Sequence, residues 1–83
     1  MMIKYYLNDS YLLLKRVNFR TIRRYILHVT KKHIAECLGI DEGTVRRAEK
    51  LGCKIRQSTF NKIAMFFHAA LIARGWKAVV DRV

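Results

Sequence analysis

Between residues 41 and 56 the chain carries Arg46, Arg47, Lys50, Lys54 and Arg56, and the spacing of the first three is helical. Successive residues of a helix turn by about 100°. With Val45 facing inward, Gly43, Arg46, Arg47 and Lys50 face away from the core. That is the face a major groove of duplex DNA would meet. Arginine grips guanine O6 and N7 with two parallel hydrogen bonds, which makes Arg47 the candidate base reader. Arg46 and Lys50 are candidates for phosphate contacts, which orient a protein without reading sequence. Lys54 and Arg56 follow in the basic loop "GCKIRQ" and are candidates for the same backbone. A merely solvated basic face would carry the same charges, so the surrounding elements must decide between the two.

Other chemistry is poorly supported. A zinc site can be drawn from His28, His33, Cys37, Cys53 and His68, but no CxxC or HxxxH pair supports it. Cys37 reads instead as a small core residue on a helix. His68 lies in an apolar stretch and is expected to be packed or at its edge. The six acids are scattered, and no nucleophile, base and orienting group form a motif. The reading is therefore not an enzyme, with neither metal nor cofactor.

The positioning elements can be followed along the chain. Residues 18–28 read as a helix capped by Asn18, with Phe19, Ile22, Ile26 and Val29 at helical spacing. Thr30 caps a second helix from Lys31 to Leu38. Gly39 supplies the turn, where a positive φ favours glycine. Asp41 caps a third helix, about Glu42 to Leu51, because its carboxylate satisfies free backbone N–H groups. Ser58 starts a fourth helix with Phe60, Ile63, Phe67 and Leu71 on one stripe. Met65, Phe66 and Ile72 make it apolar nearly all round, as in a helix that is central or pairs with a partner. "WKAVVDRV" is a short terminal helix or strand, and Trp76 is either core or an interface anchor. Residues 1–17 are a hairpin around "NDS" or a helix capped at Asp9 or Ser10, with the hairpin or an extended arm favoured. The segment is too apolar to hang free.

The chain has 83 residues and one small domain's worth of core. A domain of this size buries roughly 60% of its unfolded surface, so dimerisation would be a natural supplement. The hydrophobic fraction of 52% excludes a disordered chain. The absence of proline and the presence of only four glycines argue against a many-turned β-sandwich. The fold class expected is therefore all-α: a four- to five-helix bundle with an N-terminal arm over 1–17 and a helix-turn-helix domain over 18–83. The net charge of +11, from 17 Lys/Arg against 6 Asp/Glu, points to a polyanionic partner. No apolar run approaches the ~20 residues of a spanning helix, and no signal peptide is visible. A reduced, cytoplasmic, nucleoid-associated protein is expected.

Residues 31–50 meet the demands of a helix-turn-helix: Ala35 where two helices cross, Gly39 at the turn, and Ile40 and Val45 in the wedge. "RYILHVT", "TKKHIAECLGI", "TVRRAEKLG" and "STFNKIAMFF" follow one another in the order seen in the lambda-repressor-like, Cro/C1-type DNA-binding family, which residues 19–68 thus resemble. The resemblance implies that Glu42, Gly43 and Arg47 hold the principal base-reading positions, with Thr44 beside them. Lys31 takes the place of a backbone-contacting glutamine, and Lys32 is grouped with it. Arg24 and Glu49 match a structural salt bridge between the first and third helices. Position 48 departs from the pattern, being alanine where a larger apolar residue is usual, so its space must be filled from elsewhere. The N-terminal segment has no counterpart there.

The expectation is a phage or bacterial transcription regulator that binds double-stranded DNA as a homodimer, with no membrane role and no small-molecule effector. Two rivals stay open. One is a protein-interaction module, such as an antitoxin or adaptor. The other is a sequence-neutral DNA-compacting protein.

Overall fold

The computed structural model describes residues 2–81. The chain begins with strand β1 (Met2–Leu7) and strand β2 (Ser10–Leu13). Asn8 takes the left-handed conformation, with φ 54°, in the two-residue turn between them. Asn and Gly are the residues that such tight hairpin turns favour. Next comes one irregular helical run: a 3-10 turn at Arg16–Asn18, the short helix α1 (Phe19–Thr21) and a π-helical stretch at Ile22–Leu27. Helices α2 (Lys31–Leu38), α3 (Glu42–Glu49) and α4 (Gln57–Ala73) follow, and strand β3 (Lys77–Asp81) closes the fold.

The three strands form one antiparallel sheet in the order β2-β1-β3. The fold is therefore α+β, and the expected all-α bundle is wrong. The hairpin expected for residues 1–17 is half of the reason. The other half is that "KAVVD" pairs with β1, with Tyr5 opposite Ala78 and Ile3 opposite Val80. Gly75, at φ 92°, turns the chain from α4 into that strand. The sheet joins the two ends of the chain and belongs to the same core as the helices.

That core gathers Tyr5 from the sheet, Phe19, Ile22 and Leu27 from the irregular run, Ile34 and Ala35 from α2, Val45 and Ala48 from α3, Ile63, Phe67 and Leu71 from α4, and Trp76. Phe19 stacks on Phe60 and Phe67, with ring centroids 5.6 and 4.7 Å apart. The stripe expected on α4 faces inward, although Phe60 is half-buried. Its opposite side is uncovered, with Met65 71% exposed and Ile72 also exposed. Trp76 is buried, so it is a core residue of the chain. Cys37 is exposed, not a core residue, because α2 turns Ile34 and Ala35 inward instead. His68 is exposed, and its Nδ1 lies 2.8 Å from the Tyr5 hydroxyl. Burial raises the Tyr5 hydroxyl above its usual pKa of 10.0.

Among the described residues no helix is long and apolar enough to cross a membrane. Nor do three or more His, Cys, Asp or Glu side chains among them form a group able to hold a metal ion.

Candidate nucleic-acid interface

Helices α2 and α3 form the helix-turn-helix. Thr30 caps α2, its Oγ1 accepting the His33 N–H at 3.0 Å. Gly39 ends α2 at φ 67°, and the Ile40 N–H donates to the Ala35 carbonyl at 3.0 Å. Ala35 and Val45 are buried where the helices meet, and Ile40 packs against them half-buried. Asp41 caps α3, its Oδ2 accepting the Gly43 N–H at 2.9 Å. The acid at the leading edge of α3 is thus a structural cap.

The side chain missing at Gly43 has a local cause. A Cβ there would lie 2.7 Å from Asp41 Oδ2 and 3.4 Å from Arg47 Nη1. The glycine keeps the cap bond and leaves room for the arginine. Arg47 is exposed and donates through Nη2 to Thr44 Oγ1 at 3.0 Å. One of its five N–H donors is thereby used to aim the guanidinium along the outer face of α3. Glu42 and Arg46 are exposed on the same helix.

The C-terminus of α3 is held by a residue that the sequence reading passed over. Arg16 donates through Nε to the Ala48 carbonyl at 2.8 Å. Its Nη2 reaches the carbonyls of Arg47 at 2.9 Å, Lys50 at 3.1 Å and Cys53 at 2.5 Å. The last carbonyls of a helix have no partner of their own, and a cation there also complements the helix dipole. The turn carrying Arg16 lies against α3 over Ala48, which is fully buried.

The expected Arg24–Glu49 salt bridge is not formed. Arg23 takes its place, with Nε 2.5 Å from Glu49 Oε2 and Nη2 3.2 Å from Oε1. Arg23 also donates to the Val29 carbonyl at 3.1 Å. Arg24 points outward, its guanidinium carbon 5.7 Å from the Tyr25 ring centroid. Both arginines lie in the π-helical stretch, whose i→i+5 bonding shifts the faces of a helix relative to α periodicity. The pairing implied by the family resemblance therefore falls on the wrong one of two adjacent arginines.

Two basic depressions lie beside α3. The first, about 540 Å³, is lined by Arg20, Arg23, Arg24, Lys31, Arg46, Glu49 and Lys50. The second, about 330 Å³, is lined by Thr44, Arg47, Lys54, Ile55, Arg56 and Thr59. Arg46 and Arg47, adjacent in sequence, line different depressions. Of the expected backbone contacts, Lys31, Arg46 and Lys50 gather in the first, and Lys54 and Arg56 in the second. Lys32 is exposed and lines neither. Arg20 was not singled out from the sequence; it lies one turn before Arg24, and both line the first depression. Thr59 joins through the start of α4, a residue type without a charge to flag it. The arrangement provides no assembled nucleophile or metal cage; it provides hydrogen-bond donors and positive charge on a rigid helix.

No protein-family model, curated protein or solved structure matches this chain.

Proposed function

We propose that the protein binds duplex DNA sequence-specifically by laying the exposed face of α3 in the major groove, and that it acts as a transcription regulator on an operator. The observation that carries the reading is the flanking of α3 by two cationic depressions. A major groove about 12 Å wide runs between two phosphate ridges and admits one helix. Arg20, Arg24, Lys31, Arg46 and Lys50 would meet one ridge, and Lys54 and Arg56 the other. Arg47 would read guanine between them, with Glu42 accepting from cytosine N4 and Thr44 steadying the arginine. The net charge of +11 supports the same partner. A homodimer on an inverted repeat is part of the proposal, because two-fold symmetry doubles the base contacts of so small a unit.

Selection of bound sites from random duplex DNA tests it. Enrichment of a defined half-site, repeated with fixed spacing, is the expected result. Strong binding with no enriched sequence would replace it with sequence-neutral compaction. No binding at low salt would leave a protein-interaction role.

A further inference from the structure

The outer face of the sheet has no role in duplex recognition by α3, and its composition is unusual. Tyr5 is buried, and Leu12 and Ala78 stand opposite it. Side chains alternate across a strand, so Lys4 and Tyr6 face the other way, together with their own partners. Two rows result. One runs Tyr11, Tyr6, Lys77 across β2, β1 and β3, and the next runs Leu13, Lys4, Val79. The row of Tyr11, Tyr6 and Lys77 contains no acid.

Tyr11 is 65% exposed, and Tyr6 is exposed beside it. Their ring centroids lie 6.2 Å apart, with planes inclined by 37°. Lys4 Nζ stands 6.0 Å from the Tyr11 centroid. A depression of about 350 Å³, lined by Tyr6, Leu7, Asn8, Gly75 and Lys77, closes the tyrosine row at the β3 end. Exposed rings on a sheet, interleaved with lysines, match a flexible polyanion whose units carry flat faces.

We propose that this face binds single-stranded nucleic acid, with bases stacked on Tyr6 and Tyr11 and the backbone drawn to Lys77. A duplex keeps its bases stacked internally and has no free faces to offer the rings. A second copy of the same face would set lysine against lysine. An acidic peptide would use the lysines and leave the ring faces without partners. Single strands use both. The surface is distinct from α3, so it stands or falls separately from duplex recognition.

The test is a fluorescence-anisotropy titration of the full chain with labelled oligothymidylate, beside a labelled duplex. Tyr11→Thr and Tyr6→Thr keep strand-favouring residues at exposed positions, and Tyr11→Phe keeps the ring. Each threonine variant is expected to weaken oligothymidylate binding at least about 5-fold, the lower bound for one lost base stack. Duplex binding should be unchanged, and Tyr11→Phe should bind the single strand as the parent does. Arg47→Ala should leave single-strand binding intact. The proposal is overturned if the threonine variants bind oligothymidylate like the parent, or lose single strand and duplex equally. A change in sedimentation mass without a change in oligonucleotide affinity would overturn it in favour of self-association. If a threonine variant does not fold, Lys77→Ala decides: a shallower salt dependence on oligothymidylate alone is expected, and an unchanged one refutes the site.

Discussion

The Arg23 guanidinium donates to both carboxylate oxygens of Glu49 and so ties the irregular first helical run to α3. The two side chains are only 9% and 8% exposed. Little of either side chain meets water, and removing one partner would leave the other charge largely unpaired. Glu49→Ala and Arg23→Ala should each cost about 3–5 kcal/mol, a large share of the stability of a domain this size. Arg24→Ala should stay within about 0.5 kcal/mol. Urea denaturation measures all three, and a large loss in Arg24→Ala alone would reverse the assignment.

Arg16 acts as a side-chain cap for the end of α3. Arg16→Met keeps much of the apolar stem but leaves the carbonyls of Ala48 and Cys53 without their donor. A loss of about 1–3 kcal/mol is expected from thermal melts. Arg16→Lys should recover only part of it, since an ammonium lacks the planar fork that reaches several carbonyls at once. Full recovery by lysine would show that charge alone matters.

Tyr5 gives stability a dependence on alkaline pH. Its hydroxyl is held above the usual value of 10.0 by burial. The folded protein therefore keeps the proton while the unfolded chain releases it. The contribution is complete below pH 10 and is lost as pH rises toward the folded-state value. Tyr5→Phe should flatten that alkaline decline, at some cost near neutrality from the lost Tyr5–His68 hydrogen bond. Parallel declines in both proteins would place the alkaline sensitivity elsewhere.

Lys31 lines the first basic depression at the start of α2. Each neutralised phosphate contributes a slope of about −0.9 to the logarithmic salt dependence of duplex binding. Lys31→Ala should make that slope shallower by about 1, with similar weakening on all sequences. Lys32→Ala, outside both depressions, should change it less. An unchanged slope in Lys31→Ala would remove Lys31 from the interface.

The helix-turn-helix is legible in the sequence because its signals are local. Thr30, Gly39 and Asp41 announce caps and a turn within a few residues, and the structure uses each that way. The sheet is not legible in the same way. β1 and β3 are short apolar runs at opposite ends of the chain, and four to six residues do not separate strand from helix periodicity. Arg23 was lost to its neighbour because the resemblance aligns Arg24 with the pairing position, while in this chain both arginines lie in a π-helical stretch that turns Arg23 toward Glu49. Arg16 gives no local sign of its role, since its four acceptors lie more than thirty residues downstream. At Gly43, which the resemblance places among the base-reading positions, an added Cβ would meet Asp41 and Arg47 of the same chain.

The central claim is that Arg47 reads a base, and it can be tested directly. The affinity of Arg47→Ala should be compared with that of the parent on a selected duplex and on a scrambled one, at fixed salt. Base reading requires a loss of about 1–3 kcal/mol on the selected site and a much smaller loss on the scrambled one. Equal losses on both would make Arg47 a phosphate contact and leave α3 without its principal reader.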